Sequence, residues 1–406
     1  MVSAQFKTEN YMAKSFIIVE GKKNSNNFYI IRSGKVKQMK ENPVLSDESS
    51  QVLGPGDFFG VISCMCGRPR IETAIALENV SLISVDKDQF GILIQKNPVV
   101  AMKIIRFFSR QLREFNQSIT KLTLKESASE DSEHLFKIGE YYFKNQLKNH
   151  SIYALQRYLQ YCPKGLNVEN AINRLKSLNA PLKASVNPAA QMTKVFRDNT
   201  MIFCENEPGD EAYVIQAGKV KITKITVDEE VLLAVLNPGD IFGEMSLLEN
   251  KPRSASAISY GDVKALAINR ANFEGMVHAQ PQLAIKMIQL LSERIWTAYR
   301  QLENLMIKDP LARIYDTLLL QVEKQKININ AHDTHNFEFG TKELLNMVGL
   351  PPNKGERFVV ELLNDKFFTL EGGKIVCKNL EELEKSVSYY KKRASMDKKR
   401  EESKNI

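Results

Sequence analysis

Residues 238–257 read Pro238-Gly-Asp-Ile-Phe-Gly-Glu-Met-Ser-Leu-Leu-Glu-Asn-Lys-Pro-Arg-Ser-Ala-Ser-Ala257, and this stretch is the most informative part of the chain. Gly243 suits a tight turn, and Glu244 follows it on a predicted short helix. Arg253 and Ser254 precede a predicted strand of small residues. N–H groups at a helix start attract phosphate, a guanidinium neutralises it, and a carboxylate can accept hydrogen bonds from sugar hydroxyls. Taken together, these residues predict a nucleotide site.

The stretch belongs to an internal repeat. Phe28-Tyr-Ile-Ile-Arg-Ser-Gly-Lys-Val-Lys37 returns as Ala212-Tyr-Val-Ile-Gln-Ala-Gly-Lys-Val-Lys221, and Pro55-Gly-Asp-Phe-Phe-Gly60 returns as Pro238-Gly-Asp-Ile-Phe-Gly243. Each copy alternates short apolar runs with turn residues, which is typical of antiparallel β-structure. The sequence therefore predicts two β-units in tandem.

The 238–257 stretch closely resembles the phosphate-binding cassette of cyclic-nucleotide-binding domains, as in Crp/Fnr regulators and the regulatory subunits of cyclic-nucleotide-dependent kinases. The resemblance implies a mixed, mainly β fold with two eight-stranded jelly rolls, each with its long helix, over residues 1–125 and 192–307. It also implies a cyclic nucleotide as effector (cAMP, cGMP or a cyclic dinucleotide) and no metal. The expected ligand-binding residues are Phe242, Gly243, Glu244, Met245, Ser246, Arg253 and Ser254.

The first copy of the cassette departs from this pattern. Gly60 and Arg70 are kept and mark a second candidate site, but Val61 replaces the ribose carboxylate and Ile71 replaces the hydroxyl. Glu72 adds an anion beside the expected phosphate position, which opposes phosphate binding in a shielded pocket, and Arg70 could simply pair with it. We expect this first pocket not to bind a cyclic mononucleotide in the family's manner.

The base-reading positions are altered as well. In the cAMP-responsive bacterial regulators that the chain resembles, a Thr-Ser pair on the long helix contacts adenine. The matching positions here are Ala298 and Tyr299. Ala298 cannot hydrogen-bond a base, whereas Tyr299 can stack on one or donate to it. Tyr299 therefore joins the expected ligand-binding residues, and the identity of the base stays open.

Each β-unit is followed by a predicted long helix with an apolar seam at heptad spacing. A helix packed on its own unit shows the same spacing, so the pattern does not fix the partner. In the Crp/Fnr family this helix is the dimer seam, which implies either a homodimer or a pseudo-dimer within one chain. The seam positions are Ala101, Ile105, Phe108, Leu112, Phe115, Ile119 and Leu122, then Ile288, Leu291, Ile295, Ala298, Leu302 and Leu305.

Residues 126–191 form a predicted helical insert that resembles one tetratricopeptide unit, with Gly139 where two helices approach closely. Ser151 stands where that repeat expects alanine. One such unit cannot bury its own apolar face. The insert is therefore interpreted either as a spacer or as a docking surface for a protein partner.

Residues 308–380 resemble the winged helix-turn-helix domain of Crp/Fnr regulators, with a helix ending near Gly349 and a Gly-Gly hairpin as the wing. Pro351-Pro352 stands where the family usually has a Ser-Arg pair. The side chains expected to contact DNA are Asn353, Lys354 and Arg357. Residues 381–406 are predicted to be a charged tail, either a solvated helix end or disordered.

Composition limits the classes of function. The net charge of +8 over 406 residues permits DNA binding without arguing for it. Five scattered cysteines and the lack of an apolar leader or long apolar stretch predict a cytoplasmic protein without a membrane span. No nucleophile stands beside a base, and no histidines show metal spacing, so no enzyme is predicted. The sequence predicts a cyclic-nucleotide-responsive transcription regulator. The alternatives are a nucleotide-sensing adaptor that acts through protein contacts without DNA, and a constitutive scaffold in which neither pocket binds ligand.

Overall fold

The computed structural model describes residues 6–40, 50–124, 133–183, 192–225, 230–325, 327–329 and 334–404. The strands of the first β-unit are β1 (Lys7–Tyr11), β2 (Phe16–Ile18), β3 (Asn27–Ser33), β4 (Val36–Met39), β5 (Ser50–Leu53), β6 (Phe58–Phe59), β7 (Thr73–Ala76) and β8 (Val80–Asp86). They form two antiparallel four-stranded sheets in the orders β1-β8-β3-β6 and β2-β7-β4-β5. Apolar side chains of both sheets share one core, so the unit is a jelly-roll-like sandwich, as predicted.

Three helices accompany this unit: α1 (Val61–Cys66), α2 (Phe90–Lys96) and the long α3 (Pro98–Leu124). The insert follows as α4 (His134–Lys144), α5 (Lys148–Tyr161) and α6 (Val168–Ser177). A Cβ on Gly139 would lie 2.7 Å from Leu155 Cδ2, so glycine lets α4 and α5 approach closely. Ser151 Oγ donates to the Gly139 carbonyl oxygen across this pair (2.9 Å).

The apolar face of the insert is covered by the second β-unit. Buried side chains of α4, α5 and α6 share a core with Met201, Ile225 and Ile258, which belong to strands of that unit. Tyr142 in α4 also donates to Glu230 Oε1 (2.8 Å). Part of the insert's apolar surface is therefore used inside the chain.

The second β-unit comprises β9 (Thr193–Phe196), β10 (Met201–Phe203), β11 (Glu211–Ile225), β12 (Glu230–Leu236), β13 (Ile241–Phe242) and β14 (Ser256–Asn269) in one bent six-stranded sheet. β11 spans what β3 and β4 cover in the first unit, and β14 spans what β7 and β8 cover. The bend falls at Gly218, which has φ 82° and whose Cβ would lie 2.2 Å from the Asp262 carbonyl oxygen. The helices of this unit are α7 (Glu244–Glu249), α8 (Arg270–Ala279) and the long α9 (Pro281–Leu305).

The two long helices pack against each other within one chain. Most seam positions of α3 and α9 share a single buried cluster, although Ile119 and Leu305 are only partly buried and Leu122 is exposed. The packing is accompanied by a repeated contact: Trp296 Nε1 in α9 donates to the Pro69 carbonyl oxygen (3.1 Å), and Arg113 Nη1 in α3 donates to that of Pro252 (3.2 Å). The two long helices therefore pair with each other in the described chain, which is the pairing that a pseudo-dimer requires.

The C-terminal region contains α10 (Pro310–Lys324), β15 (His335–Asn336), α11 (Thr341–Met347), α12 (Pro352–Asn364), β16 (Phe368–Glu371), β17 (Lys374–Cys377) and α13 (Leu380–Lys404). Its sheet has the order β15-β17-β16, and Gly372 and Gly373 form the hairpin turn with φ 56° and 79°. Packing explains the glycine at position 355 in α12, because a Cβ added there would lie 2.4 Å from Leu345 Cδ2.

The predicted charged tail is helical as far as residue 404, in agreement with the helix-end alternative, but its first part is packed and not solvated. Residues 381–404 belong to α13, and Leu383 and Val387 are buried in the C-terminal core. Tyr390 stacks on Tyr315 at 5.6 Å, and Lys391 Nζ lies 3.2 Å from Asp316 Oδ1. The many charged residues of this segment mask an apolar stripe in the sequence. This stripe packs the first half of α13 against α10.

Candidate functional site

The second cassette, residues 238–257, lies at one edge of the core of its β-unit. Phe242 ends β13, and its ring stacks on Tyr213 at 5.2 Å. Gly243 is left-handed (φ 75°, ψ 2°) and leads directly into α7. A Cβ on this residue would lie 2.6 Å from Arg253 Nη1, so the turn can rest on the guanidinium only as glycine.

Arg253 is the buried cation of this cassette, with 4% of its surface exposed. Its Nη1 donates to the Gly243 carbonyl oxygen (2.7 Å) and to Ser246 Oγ (2.6 Å), and the guanidinium lies 4.1 Å from the Phe203 ring centroid. Its Nε has no hydrogen-bond partner among the described residues. An unsatisfied buried donor is costly, and the oxygen of an anion would satisfy it.

Gly209, which no sequence motif indicates, lies against this donor and places no side chain on it. A Cβ on Gly209 would lie 2.3 Å from Arg253 Nε and 2.5 Å from Ser246 Oγ. Its φ is not in the left-handed region, so the backbone itself does not demand glycine. Pro-Gly-Asp resembles an ordinary turn, and only the fold reveals that this glycine faces the guanidinium.

Glu207 is a second residue that the sequence did not reveal. Its carboxylate accepts hydrogen bonds from Cys204 N (3.2 Å) and from the Tyr153 hydroxyl (3.3 Å), and Arg157 Nε lies 3.7 Å away. Burial raises the pKa of Glu207 to about 7, although the charges of Arg157 and Arg253 act to lower it. Because Tyr153 and Arg157 belong to α5, the insert contacts the wall of this site.

Glu244, the expected ribose acceptor, is buried and paired. Its Oε1 accepts from Arg294 Nη1 (2.6 Å), and Arg294 Nη2 donates to the Ile241 carbonyl oxygen (2.5 Å). Arg294 lies on α9, so this ion pair joins the cassette to its own long helix. Met245 is buried, and the half-buried Ser254 places its hydroxyl 4.0 Å from the Met245 sulfur. The predicted cassette residues therefore do come together.

The other long helix also holds this cassette. Arg113 in α3 donates from Nε to Glu249 Oε2 (2.8 Å) and from Nη1 to the Pro252 carbonyl oxygen (3.2 Å). Ser109 Oγ donates to Glu249 Oε1 (2.8 Å). The second cassette is thus contacted by a helix of the first unit, which the sequence could not specify.

The first cassette, residues 55–74, has the same backbone turn, with Gly60 at φ 78° and ψ 2°. Its arginine, however, is satisfied within the chain. Arg70 donates from Nε to the Asn24 carbonyl oxygen (3.2 Å), from Nη1 to that of Gly60 (2.9 Å) and from Nη2 to that of Asn27 (2.7 Å).

Glu72 does not form the hydrogen bond with Arg70 that the sequence had suggested as an alternative. Its Oε1 accepts from the Gly60 backbone N–H (2.7 Å), and its Oε2 accepts from the Gln38 side chain. The Glu72 carboxylate therefore accepts the hydrogen bond of the N–H group at the cassette turn. The N–H of Gly60 and the guanidinium of Arg70 both donate to acceptors within the first β-unit.

Comparison with known proteins agrees with this geometry. The family model described as cyclic nucleotide-binding domain matches residues 8–97 and 193–280. The chain contains two cyclic nucleotide-binding domains. It is also homologous to Crp/Fnr-type regulators: the CRP-like cAMP-activated global transcriptional regulator of Mycobacterium tuberculosis is 26% identical over 183 residues, which is 45% of this chain and 82% of the relative.

Two Thermus thermophilus proteins are further matches. The cyclic AMP receptor protein is 32% identical over 127 residues, covering 31% of this chain and 59% of the relative. The solved catabolite activator protein is 26% identical and covers 49% of this chain and 90% of that one. Its TM-score is 0.28, so the superposition carries no argument about geometry.

Tyr299 contacts the first cyclic nucleotide-binding domain, whereas the sequence placed it at the second site. Its hydroxyl donates to Glu20 Oε1 (2.9 Å), Lys40 Nζ lies 4.8 Å from its ring centroid, and its ring lies 6.2 Å from that of Phe115. Ala298 is buried in the helix seam. The reason is the crossing of the helices: α9 packs on the first domain, and α3 packs on the second.

The three residues predicted to contact DNA are exposed on α12. Asn353, Lys354 and Arg357 all face solvent, and the Arg357 guanidinium lies 4.5 Å from the Phe358 ring centroid. Val360 on the same helix is 59% exposed. These positions are available to a partner, but their exposure does not say which kind.

Across the described ranges, no cluster of three or more His, Cys, Asp or Glu residues could hold a metal ion. No helix in the same ranges is both long and apolar enough to cross a membrane.

Proposed function

We propose that the chain is a Crp/Fnr-type transcription regulator that responds to a cyclic nucleotide bound in its second cyclic nucleotide-binding domain. The names of the two relatives, a cAMP-activated regulator and a cyclic AMP receptor protein, support this proposal. The ligand would be cAMP, cGMP or a cyclic dinucleotide. The residues proposed to contact it are Phe242, Gly243, Glu244, Met245, Ser246, Arg253 and Ser254.

The observation that carries the proposal is the difference between the two buried arginines. Arg70 donates its hydrogen bonds to carbonyl oxygens of its own domain, whereas Arg253 Nε has no hydrogen-bond partner among the described residues. A phosphate oxygen at that N–H would form a charge-assisted hydrogen bond in a shielded site. Gly209 places no side chain against this N–H group. The second domain therefore has the free binding capacity that the first lacks.

Glu244 supplies the second half of the site. Its carboxylate is held by Arg294 in this structure, and the hydroxyl of a ribose would compete with that guanidinium for it. A ligand that favours one arrangement of this pair would shift α9 between two positions. Tyr299 is left out of the proposed contacts because its hydroxyl donates to the first domain.

Calorimetry tests the binding step. We expect heat with at least one of cAMP, cGMP and cyclic di-GMP, and a loss of about 10- to 100-fold in affinity for Arg253→Gln, since a hydrogen bond to a charged group contributes about 1.5–3 kcal/mol. Arg197→Gln is the matched control, because Arg197 is an exposed arginine of the same domain that pairs with Asp262. Equal affinity of Arg253→Gln and the unsubstituted chain would contradict the proposed site.

The output step is proposed to be DNA binding by α12, with the β16–β17 hairpin as the wing. Asn and Arg side chains can read adenine and guanine edges, and Lys can contact phosphate. A gel shift on genomic fragments at low salt, with and without each nucleotide, should give retardation that weakens as salt rises. Arg357→Ala should weaken it further. No retardation under any of these conditions would favour the adaptor.

One observation favours the adaptor as a second candidate. The exposed surface of α12 carries Glu356 and Glu361 as well as its two cations, and Val360 is an exposed apolar side chain among them. Carboxylates repel a phosphate backbone, whereas a mixed surface around an apolar residue suits a protein partner. Val360→Ala should leave DNA retardation unchanged if the helix reads DNA through Asn353 and Arg357.

A further inference from the structure

We infer that the ligand state of the second cyclic nucleotide-binding domain is passed to the C-terminal domain by α3, the long helix of the first domain, through Arg113. The inference rests on the proposed function, because it concerns how a ligand of that same site would act. Arg113 acts as a positioning residue and has no contact with the ligand in this scheme.

Arg113 contacts the second cassette at two positions, Glu249 and Pro252. Glu249 is the last residue of α7, and Pro252 directly precedes Arg253. Arg113 donates to the carboxylate of the former and to the carbonyl oxygen of the latter. The side chains of Arg113 and Glu249 are 3% and 9% exposed. A shift of α7 or of Pro252 must therefore either carry Arg113 along or break a buried ion pair, which is strongly unfavourable.

Ser109 strengthens the same contact from one helical turn earlier. Its hydroxyl donates to Glu249 Oε1, so α3 binds both carboxylate oxygens. The first cassette has a different counterpart on α9, where Trp296 Nε1 donates a neutral hydrogen bond to the Pro69 carbonyl oxygen and the Trp296 ring lies 5.0 Å from the Arg68 guanidinium. This contact contains no ion pair, because the indole of Trp296 is neutral. The charged, two-residue contact therefore belongs to the cassette that is proposed to bind ligand.

The far end of α3 contacts the C-terminal domain at the turn between α11 and α12. A Cβ on Gly349 would lie 3.6 Å from the Leu122 carbonyl oxygen and 3.7 Å from Thr123 Cα, both in α3, and 3.6 Å from Leu305 Cδ2 at the end of α9. Arg313 Nη1 donates to the Val348 carbonyl oxygen (2.8 Å), which ties this turn to α10. Nine residues separate Arg113 from Leu122, about 13 Å along a continuous helix. One rigid element thus contacts both the ligand cassette and the turn before α12.

A competing route runs through α9, which is joined to the cassette by Arg294, leads into α10 and places Leu305 as near to Gly349 as α3 places Leu122. The two routes differ in burial, because the Arg294 side chain is 29% exposed. Glu244 itself is buried, but the partly exposed Arg294 can follow its carboxylate more freely than the buried Arg113 can follow Glu249, so the α3 contact should dominate. Arg294→Gln is therefore an informative comparison with substitutions of Arg113.

Hydrogen exchange of the amides of residues 341–350 measures the coupling, with cAMP and cGMP as probes and calorimetry as the measure of binding. In the unsubstituted chain, the nucleotide that binds should change this exchange about fivefold or more. Arg113→Met keeps the side-chain length and removes the donors. Arg113→Met should keep the nucleotide affinity within about threefold of the unsubstituted chain and abolish the ligand-dependent change in exchange. Arg294→Gln should retain most of that change in exchange. Arg106→Gln, which removes an exposed α3 ion pair with Glu274, is the control.

The variants also decide the inference without ligand. Arg113→Met should raise exchange at residues 341–350 relative to Arg106→Gln, because α3 is released from the cassette. If Arg113→Met does not fold, Glu249→Gln weakens the same contact with little change of shape and should act alike. Unchanged exchange with and without ligand would overturn the inference, as would a loss of coupling in Arg294→Gln alone. Absence of binding to the unsubstituted chain would instead count against the proposed function, and the ligand-free comparison would still apply.

Discussion

Substitution of Gly209 by alanine should close the proposed anion site while leaving the backbone in place. The added Cβ would lie 2.3 Å from Arg253 Nε and 2.5 Å from Ser246 Oγ, roughly 1 Å inside normal contact. The guanidinium cannot move away freely, because Nη1 is bonded to Gly243 and Ser246. Moving it forfeits about 1.5–3 kcal/mol for a charged hydrogen bond. We therefore expect a loss of nucleotide affinity of about 10- to 100-fold.

Calorimetry with the nucleotide that binds the unsubstituted chain is the assay, together with thermal melting. Overpacking should lower stability by about 1–3 kcal/mol, so the variant should still fold at room temperature. Gly275→Ala is the matched control: this glycine lies in α8 of the same domain with no atom within 4 Å of its Cβ position. The control should bind normally and gain about 1 kcal/mol of helix stability. Unchanged affinity in folded Gly209→Ala would refute the idea that a phosphate lies beside Arg253 Nε.

Three further substitutions test buried features outside the anion space. Burial raises the pKa of Glu207 to about 7, so the folded state keeps this proton at pH values where the unfolded chain has lost it. The free energy of unfolding should therefore fall as the pH rises from about 4.5 through 7. Glu207→Gln should remove this loss, and the melting temperatures of the two proteins should diverge between about pH 5 and 8. Gly139→Ala places a Cβ 2.7 Å from Leu155 Cδ2 and should lower the stability of the insert by about 1–3 kcal/mol in urea titrations. Gly355→Ala places a Cβ 2.4 Å from Leu345 Cδ2 and should destabilise the C-terminal domain by a similar amount, even though alanine is the better helix former; a stabilised variant would contradict the observed approach of α11 and α12.

Most of the fold can be predicted from local sequence patterns. The repeated glycine turns and alternating apolar runs predict two β-units, and the structure places Gly60 and Gly243 in the same left-handed turn. Gly139 was interpreted as a close approach of helices, and its nearest neighbour is indeed the facing Leu155. These features depend on residues near each other in sequence, where turn chemistry and helix periodicity apply.

The parts of the site that escaped prediction depend on contacts between distant segments. Arg294 reaches Glu244 from fifty residues away, and Arg113 reaches Glu249 from the other repeat. Neither arginine stands out in sequence, because surface arginines are frequent on long helices. Tyr299 is a further example of a contact between distant segments. The sequence predicts its place on the long helix α9, but the domain that it contacts depends on how α3 and α9 cross.

The two cassettes differ in a way that matches their neighbours. Arg68 in the first cassette lies 5.0 Å from the Trp296 ring centroid and donates to the Glu323 carbonyl oxygen at the end of α10 (2.8 Å). A cassette that supports the C-terminal domain gains from a fixed shape, and the internal hydrogen bonds of Arg70 and Glu72 provide one without any ligand. The second cassette keeps an unsatisfied buried donor, which makes its resting arrangement less favourable and leaves a free-energy gain for an anion to supply. The proposed loss of binding in the first cassette and the proposed binding in the second are complementary, because a switch needs one part that changes shape with ligand and one part that keeps its shape.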